Sequence, residues 1–373
     1  MKREVKVIFH IDLNAFYASV SIINEPYLKN KVFVVGGSNV IGRGIITTAS
    51  YKARRLGITS GMSVSDAQKI YPKLLIVPTN HEEYRKYSNL FFEFLNQYSD
   101  YILRGSIDEA YLDVTELSKK MHPLAIAKDI QKKLLKLYNP PCSIGIAPTL
   151  FLAKMASDLK KPLGITVVRK RDIPQKILPL PIKELYGMGI KTYPLLIKKG
   201  IKTIGDFTKE ENKEKILEVI SYDAYQNFLE NIWGESTNKV DPTKYDIPKS
   251  ISNETTFNYI IDISSIILEE LTNLLKRAHK RLIKEKMLAK TITLKFKYDD
   301  FKTITRSKSL EDYTNNYDTF LQLLETLFYD NYNDEKLRLV GVGFSNLILK
   351  EQYTEDFNLF TYQRLLKSKH DII

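Results

Sequence analysis

The chain has 373 residues, 43% hydrophobic and 27% charged, too apolar for a disordered protein and long enough for about two to three domains. Lys and Arg total 56 against 44 Asp and Glu, a net charge of +12 that favours a polyanionic partner, nucleic acid before an anionic membrane surface. Cys142 is the only cysteine, which excludes an internal disulfide framework and a Cys-cluster zinc site. The charged start at 1–6 and the lack of any run of about 18 apolar residues lead us to expect a cytoplasmic protein with no membrane partner.

Up to about residue 170, short β-type runs alternate with amphipathic stretches. Residues 5–11, 31–35 and 44–48 predict strands, and helical periodicity appears near 50–56, 81–98, 123–138 and 148–159. That mixture argues for a layered α/β or α+β architecture. From about 172 the chain becomes helical, punctuated by Pro174, Pro179, Pro181, Gly187 and Gly189. Residues 235–248 have the composition of a linker. Beyond it the pattern predicts a helix at 264–284 and strands at 289–298, 301–308 and 336–346, then a tail without strong periodicity.

Between Lys276 and Lys308 twelve basic residues meet only Glu285, Asp299 and Asp300, so nine of the twelve net charges fall there. A solvated helix face usually mixes signs, so a basic helix feeding basic strands predicts a surface that tracks phosphates.

Asp12 ends the first predicted strand, and Asp108 and Glu109 sit between β-type segments. Acidic side chains in such apolar settings must pair or bind cations, because burying an unpaired carboxylate is very costly. Three oxygen donors on neighbouring strands suit Mg²⁺, and two such ions can clamp the attacking and leaving oxygens of a phosphoryl displacement. A surface turn with ion pairs is the alternative reading.

Thr48, Tyr51 and Arg54, where a strand opens into a helix, offer a hydroxyl, a phenol and a guanidinium to a polyphosphate, and Lys161 adds a point charge. Taken singly, each reads more readily as a solvated face. Gly187 and Gly189 with Lys191, followed by a second Lys-Gly-Ile-Lys-Thr run at 199–203, predict a helix-hairpin-helix that brings backbone N–H groups to a DNA phosphate.

Together these motifs resemble the Y-family translesion DNA polymerases over nearly the whole chain. The runs that carry the resemblance are His-Ile-Asp-Leu-Asn-Ala-Phe-Tyr-Ala-Ser-Val at 10–20, Thr-Ala-Ser-Tyr-Lys-Ala-Arg at 48–54 and Ser-Ile-Asp-Glu-Ala-Tyr-Leu-Asp at 106–113. Residues 143–148, 151–162, 249–251 and 338–342 follow in the family's order.

The resemblance implies an α+β multidomain right hand. Palm and fingers would occupy 1–170 (fingers about 22–77), a helical thumb with the helix-hairpin-helix 171–233, a linker 234–250, a little finger 251–348 and a tail 349–373. It implies a DNA-directed DNA polymerase of low fidelity, adding dNTPs to a primer 3′ end and copying past template damage. Asp12, Asp108, Glu109 and the Leu13 carbonyl would hold two Mg²⁺. Phe16 and Tyr17 would underlie the incoming nucleotide, Tyr17 as a steric gate against a ribose 2′-OH. Thr48, Tyr51, Arg54 and Lys161 would bind the nucleotide, the last three through its triphosphate.

Gly187, Gly189, Lys191, Lys249, Ser250, Lys297, Thr303, Thr305, Arg306 and Lys308 would contact primer–template DNA. Phe357, Leu359 and Phe360 in the tail would dock on a sliding clamp, with Asp356 in place of the family's glutamine weakening the contact. The protein is expected to act as a monomer. Ser21 stands where many relatives carry Glu, and Leu150 replaces a polar or basic residue, a change expected to weaken a template contact. A palm-fold nucleotidyl cyclase would share the acidic cluster without needing the hairpins or the basic segment. A non-catalytic DNA-binding paralogue would lose a carboxylate, and all three are present.

Overall fold

The computed structural model describes residues 5–37 and 44–353. Phe357, Leu359 and Phe360 lie outside the described residues. The chain divides between Lys244 and Tyr245 into two units. The strands are β1 (Ile8–Leu13), β2 (Phe33–Gly36), β3 (Ile46–Ala49), β4 (Leu75–Val77), β5 (Ile102–Arg104), β6 (Glu109–Asp113), β7 (Cys142–Ala147), β8 (Ile165–Val167), β9 (Ser250–Ile261), β10 (Met287–Tyr298), β11 (Thr303–Thr314) and β12 (Leu337–Leu349).

In the first unit, β1 is the middle strand of a sheet ordered β5-β6-β1-β7-β8, antiparallel to both neighbours. A central strand covered on both faces must be apolar on both, and every β1 residue is buried. Alternation sends Phe9, Ile11 and Leu13 into a core shared with helices His81–Leu95 and Pro123–Tyr138. Ile8, His10 and Asp12 therefore face the other way, toward helix Leu150–Asp158. Thr149 caps that helix by accepting from the Leu152 N–H at 3.3 Å.

Gly145 on β7 explains how closely the helix lies on the sheet. A Cβ at that position would sit 2.0 Å from the Ala153 carbonyl oxygen and 2.4 Å from the Ser157 nitrogen. The predicted strand 5–11 is found two to three residues later because pairing with β6 and β7 begins at Ile8, while Val5 is 73% exposed.

A smaller sheet, β3-β2-β4, closes around Val34, Ile46, Ala53, Val64 and Leu74. Residues 173–233 then form short helices and turns rather than strands, the longest helix being Tyr222–Ile232. The Gly187 turn, at φ 88°, joins the 3-10 turn Ile182–Glu184 to helix Tyr193–Lys198. Thr203 and Asp206 close a capping box on helix Ile204–Phe207, and Pro181 bridges Thr203 to hold the two hairpin segments together.

In the second unit the sheet runs β11-β10-β12-β9, all antiparallel. Helices Ser264–Lys284 and Tyr317–Asn331 cover one face through Leu271, Leu275, Phe320 and Phe328, packed on Ile292, Leu294, Phe296 and Phe344. Among the described residues no helix is long and apolar enough to cross a membrane.

Candidate active site

Antiparallel register sets Asp12 of β1 directly opposite Glu109, the first residue of β6. Both project toward helix Leu150–Asp158, whose Lys154 ammonium lies 2.6 Å from Glu109 Oε1 and 3.3 Å from Asp12 Oδ2. Lys161, just beyond the helix, donates to Asp12 Oδ2 at 2.5 Å and to Asp158 Oδ1 at 2.7 Å. Behind the pair, fully buried His10 meets Ser157 Oγ through Nδ1 at 2.8 Å and presents Nε2 3.8 Å from Glu109 Oε2.

Burial pushes Asp12 up to about 6, helped by its hydrogen bond to Glu109 and opposed by the two lysines. Burial acts on Glu109 in the same sense, but the neighbouring His10 ring, the facing Asp12 carboxyl and the charge of Lys154 outweigh it and hold that carboxylate well below its usual range. Asp108 occupies the turn before β6 and accepts from Ser106 Oγ at 2.5 Å, and burial pushes its carboxyl up. The Leu13 N–H donates to the Asp108 carbonyl at 3.0 Å, tying that turn to β1.

The chain reverses from β1 into helix Phe16–Asn24 through Ala15 at φ 46°, a left-handed conformation uncommon for alanine. Asn14 secures the turn, accepting from the Leu163 N–H at 2.8 Å and donating to Ser143 Oγ at 3.0 Å. The reversal buries Phe16 in the core against Tyr84 and leaves Tyr17 close enough to feel the Asp108 charge. Burial and then the Asp108 charge raise the Tyr17 phenol. Tyr17 stacks on Tyr84 at 4.1 Å between ring centroids.

Ser50 caps helix Tyr51–Arg55 and so fixes Tyr51 and Arg54. The Tyr51 phenol is raised by burial and also feels the charges of Arg54, Lys161 and Asp12, so this segment faces the carboxylate site. Arg54 lies 5.1 Å over the Tyr51 ring, and Thr48 is buried on β3 opposite Val35.

Sequence reasoning gave no role to Lys154, Asp158, His10 or Tyr84. The first two carried a signal, since lysines and an aspartate at helical spacing, 154, 158 and 161, share one face. Ser21 donates to the Tyr17 carbonyl at 3.0 Å, and Leu150 is packed in the core, 8% exposed.

The basic surface expected over 276–308 is divided between two faces by the sheet register. Lys295 and Lys297 pair with Thr305 and Thr303 on the helix-free face, together with Ser250, Gly341 and Gly343. Arg306 and Lys308 pair with Leu294 and Ile292 and so point to the helix-covered face, where Arg306 donates to Asn331 Oδ1 at 3.1 Å. Lys276, Arg277, Lys280, Arg281 and Lys284 belong to a helix on that second face. Strand alternation divides a charge run that is continuous in sequence.

Hard carboxylate oxygens that have drawn in two ammonium cations are chemically suited to divalent cations. Among the described residues no three His, Cys, Asp or Glu side chains are gathered as an ion cage, and the cations held there are Lys154 and Lys161.

Comparison with known proteins agrees with this architecture. The impB/mucB/samB family matches residues 11–158 and its C-terminal domain residues 248–357. DNA polymerase IV 1 of Halalkalibacterium halodurans is 39% identical over 364 residues, covering 97% of this chain and 87% of the relative. DNA polymerase IV 1 of Bacillus subtilis is 36% identical over 370 residues, covering 99% and 89%. Among solved structures, a Y-family DNA polymerase chimera, Dbh-Dpo4(243-245)-Dbh, matches with TM-score 0.81 at 26% identity over 92% of this chain and 99% of that one. An insertion ternary complex of Dbh DNA polymerase matches with TM-score 0.65 at 26% identity and the same coverage.

The chain belongs to the impB/mucB/samB family of Y-family DNA polymerases.

Proposed function

We propose that this low-fidelity, DNA-directed translesion polymerase adds deoxynucleotides to a primer 3′ end at the cluster Asp12, Asp108 and Glu109. The observation that carries the reading is the Asp12–Glu109 pair, held face to face across β1 and β6 and already neutralised by two lysines. Asp12, Asp108 and Glu109, with the Leu13 carbonyl, would hold two Mg²⁺. When bound, the ions supply activation of the primer hydroxyl and neutralisation of the triphosphate.

The chain's own residues supply position. Tyr51, Arg54 and Lys161 hold the triphosphate, Thr48 supports that segment, and Phe16 and Tyr17 form the floor beneath base and sugar. The Tyr17 ring excludes a 2′-hydroxyl by overlap. Because catalysis here is mainly positioning and charge stabilisation, the Asn14 turn and the packed helix Leu150–Asp158 serve it by holding these groups in place.

The palm is the sheet around β1, the fingers the β3-β2-β4 sheet at about 22–77 and the thumb 171–233. The little finger is the second unit, from about 251. Gly187, Gly189 and Lys191 would meet the DNA backbone at the thumb. Ser250, Lys297, Thr303 and Thr305 would meet it at the helix-free sheet face and Lys249 just before β9, with Arg306 and Lys308 reaching it only from the strand edge. Phe357, Leu359 and Phe360 would attach the tail to a sliding clamp, a reading that rests on sequence alone. The protein would act as a monomer in the cytoplasm.

Incubation with primer–template, dNTPs and Mg²⁺ tests the proposal by its products. Extended primer supports it. A cyclic nucleotide product, or DNA binding without chemistry, would overturn it.

A further inference from the structure

Lys154 is a buried cation that the polymerase reading leaves without a task. It is 8% exposed, and its ammonium touches three carboxylates: Glu109 at 2.6 Å, Asp12 at 3.3 Å and Asp158 at 3.4 Å. Its position is imposed by the fold, because helix Leu150–Asp158 rests on Gly145 with no room for a side chain between them. Without this charge, only Lys161 on Asp12 would offset the repulsion between two neighbouring carboxylates in a desolvated site, and Glu109 would lose its ammonium partner.

The same ammonium occupies oxygens that any divalent cation would need, since ligand and ion-pair partner are the same atoms. Asp158 provides the alternative. It is half-exposed, stands on the same helix face four residues beyond Lys154, already accepts from Lys161 at 2.7 Å, and belongs to neither β1 nor β6. The ammonium already lies 3.4 Å from Asp158, so the flexible lysine stem has that carboxylate within reach when it leaves Glu109.

We propose that Lys154 is the site's built-in counter-ion, a positioning residue that holds Asp12 and Glu109 together before a divalent cation binds and is displaced onto Asp158 when one does. Cation entry is then an exchange. Lys154 sets how much divalent ion the empty site requires, and Asp158 sets how readily the lysine leaves. This rests on the reading above that the two carboxylates are the ion ligands.

The test is Mn²⁺ alone, titrated onto the full-length protein without DNA or nucleotide, with unbound ion read by electron paramagnetic resonance. Thermal unfolding in EDTA accompanies it. Lys154→Gln is expected to unfold at a lower temperature in EDTA yet bind Mn²⁺ on the order of tenfold more tightly, because a competing unit charge is gone. A gain in affinity cannot come from structural damage. Asp158→Asn is expected to bind Mn²⁺ severalfold more weakly. Lys160→Gln, the same charge change at an exposed position on the end of that helix, should stay within about twofold of wild type.

Folded Lys154→Gln with unchanged or weaker Mn²⁺ binding overturns the exchange. If that variant does not fold in EDTA, Asp158→Asn decides alone, and wild-type affinity there overturns it. Asp12→Asn separates the two levels: unimpaired Mn²⁺ binding in that variant overturns the ligand assignment itself, whereas lost binding leaves only the exchange in question.

Discussion

The rings of Tyr17 and Tyr84 lie stacked, 4.1 Å between centroids and 24° from parallel. Tyr84 is 1% exposed on helix His81–Leu95 and also packs against Phe16 at 6.2 Å, so Tyr17 rests on a fixed surface. A steric gate works only if it cannot yield to the group it excludes.

Tyr17→Ala is therefore expected to admit ribonucleotides, lowering the dNTP over rNTP preference by about 100-fold or more. Tyr84→Leu keeps the gate but removes its backing, and an aromatic pair worth about 1 kcal/mol predicts a loss of about fivefold to tenfold. Ratios of kcat/KM for matched dNTP and rNTP pairs check both. An unchanged ratio in folded Tyr17→Ala rejects the gate.

Asp12 should impose a pH dependence on divalent binding. Burial raises its carboxyl from 3.8 to about 6, so the folded protein holds this proton more tightly than the unfolded chain. In EDTA its stabilising contribution is fully present below about pH 4 and lost as pH rises through about 6. Ion binding needs the carboxylate, so half-saturating Mg²⁺ should climb about tenfold per pH unit below 6 and level off above about 7. Mg²⁺ titrations between pH 5 and 8 measure it, and a flat profile contradicts the assignment.

Gly145→Ala should be severely destabilising, since the new methyl would meet the Ala153 carbonyl at 2.0 Å. Overpacking of this kind costs about 1–3 kcal/mol or more, and helix Leu150–Asp158 would have to lift from the sheet. Urea denaturation measures the loss. Extension activity should fall with it, because Lys154 and Lys161 move with the helix and the segment that follows it.

DNA binding should be salt-steep and independent of sequence, with the phosphate contacts on the helix-free face. Lys297→Ala should lower the slope of log K against log salt by about one. Lys280→Ala and Lys284→Ala, on the covering helix, should leave it nearly unchanged. Equal effects from both groups would show that the face distinction has no bearing on binding.

Much of this protein was legible in its sequence. The helix predicted at 264–284 coincides with Ser264–Lys284, and 123–138 with Pro123–Tyr138, because each has a long amphipathic repeat and clear ends. Strand edges were less legible. β9 begins at Ser250, inside the stretch assigned to the linker, because its pairing with β12 rather than its own polar sequence makes it a strand. Helix Tyr317–Asn331 and its packing were missed altogether.

At the candidate site, motifs singled out Asp12, Asp108, Glu109 and Tyr17. They could not show that Lys154 lies on the carboxylates or that Tyr84 supports Tyr17, because both depend on contacts between segments distant in sequence. Register also divides the basic run between two faces, which charge counting along the chain cannot see.

The most direct test of the account is primer extension by Glu109→Ala and Asp108→Ala, with DNA affinity measured on the same preparations. These carboxylates are assigned to cations and not to DNA, so nucleotide addition should fall by far more than ~100-fold while primer–template affinity stays within about threefold of wild type. Extension within tenfold of wild type by either variant would contradict the assignment of the carboxylate cluster as the catalytic centre.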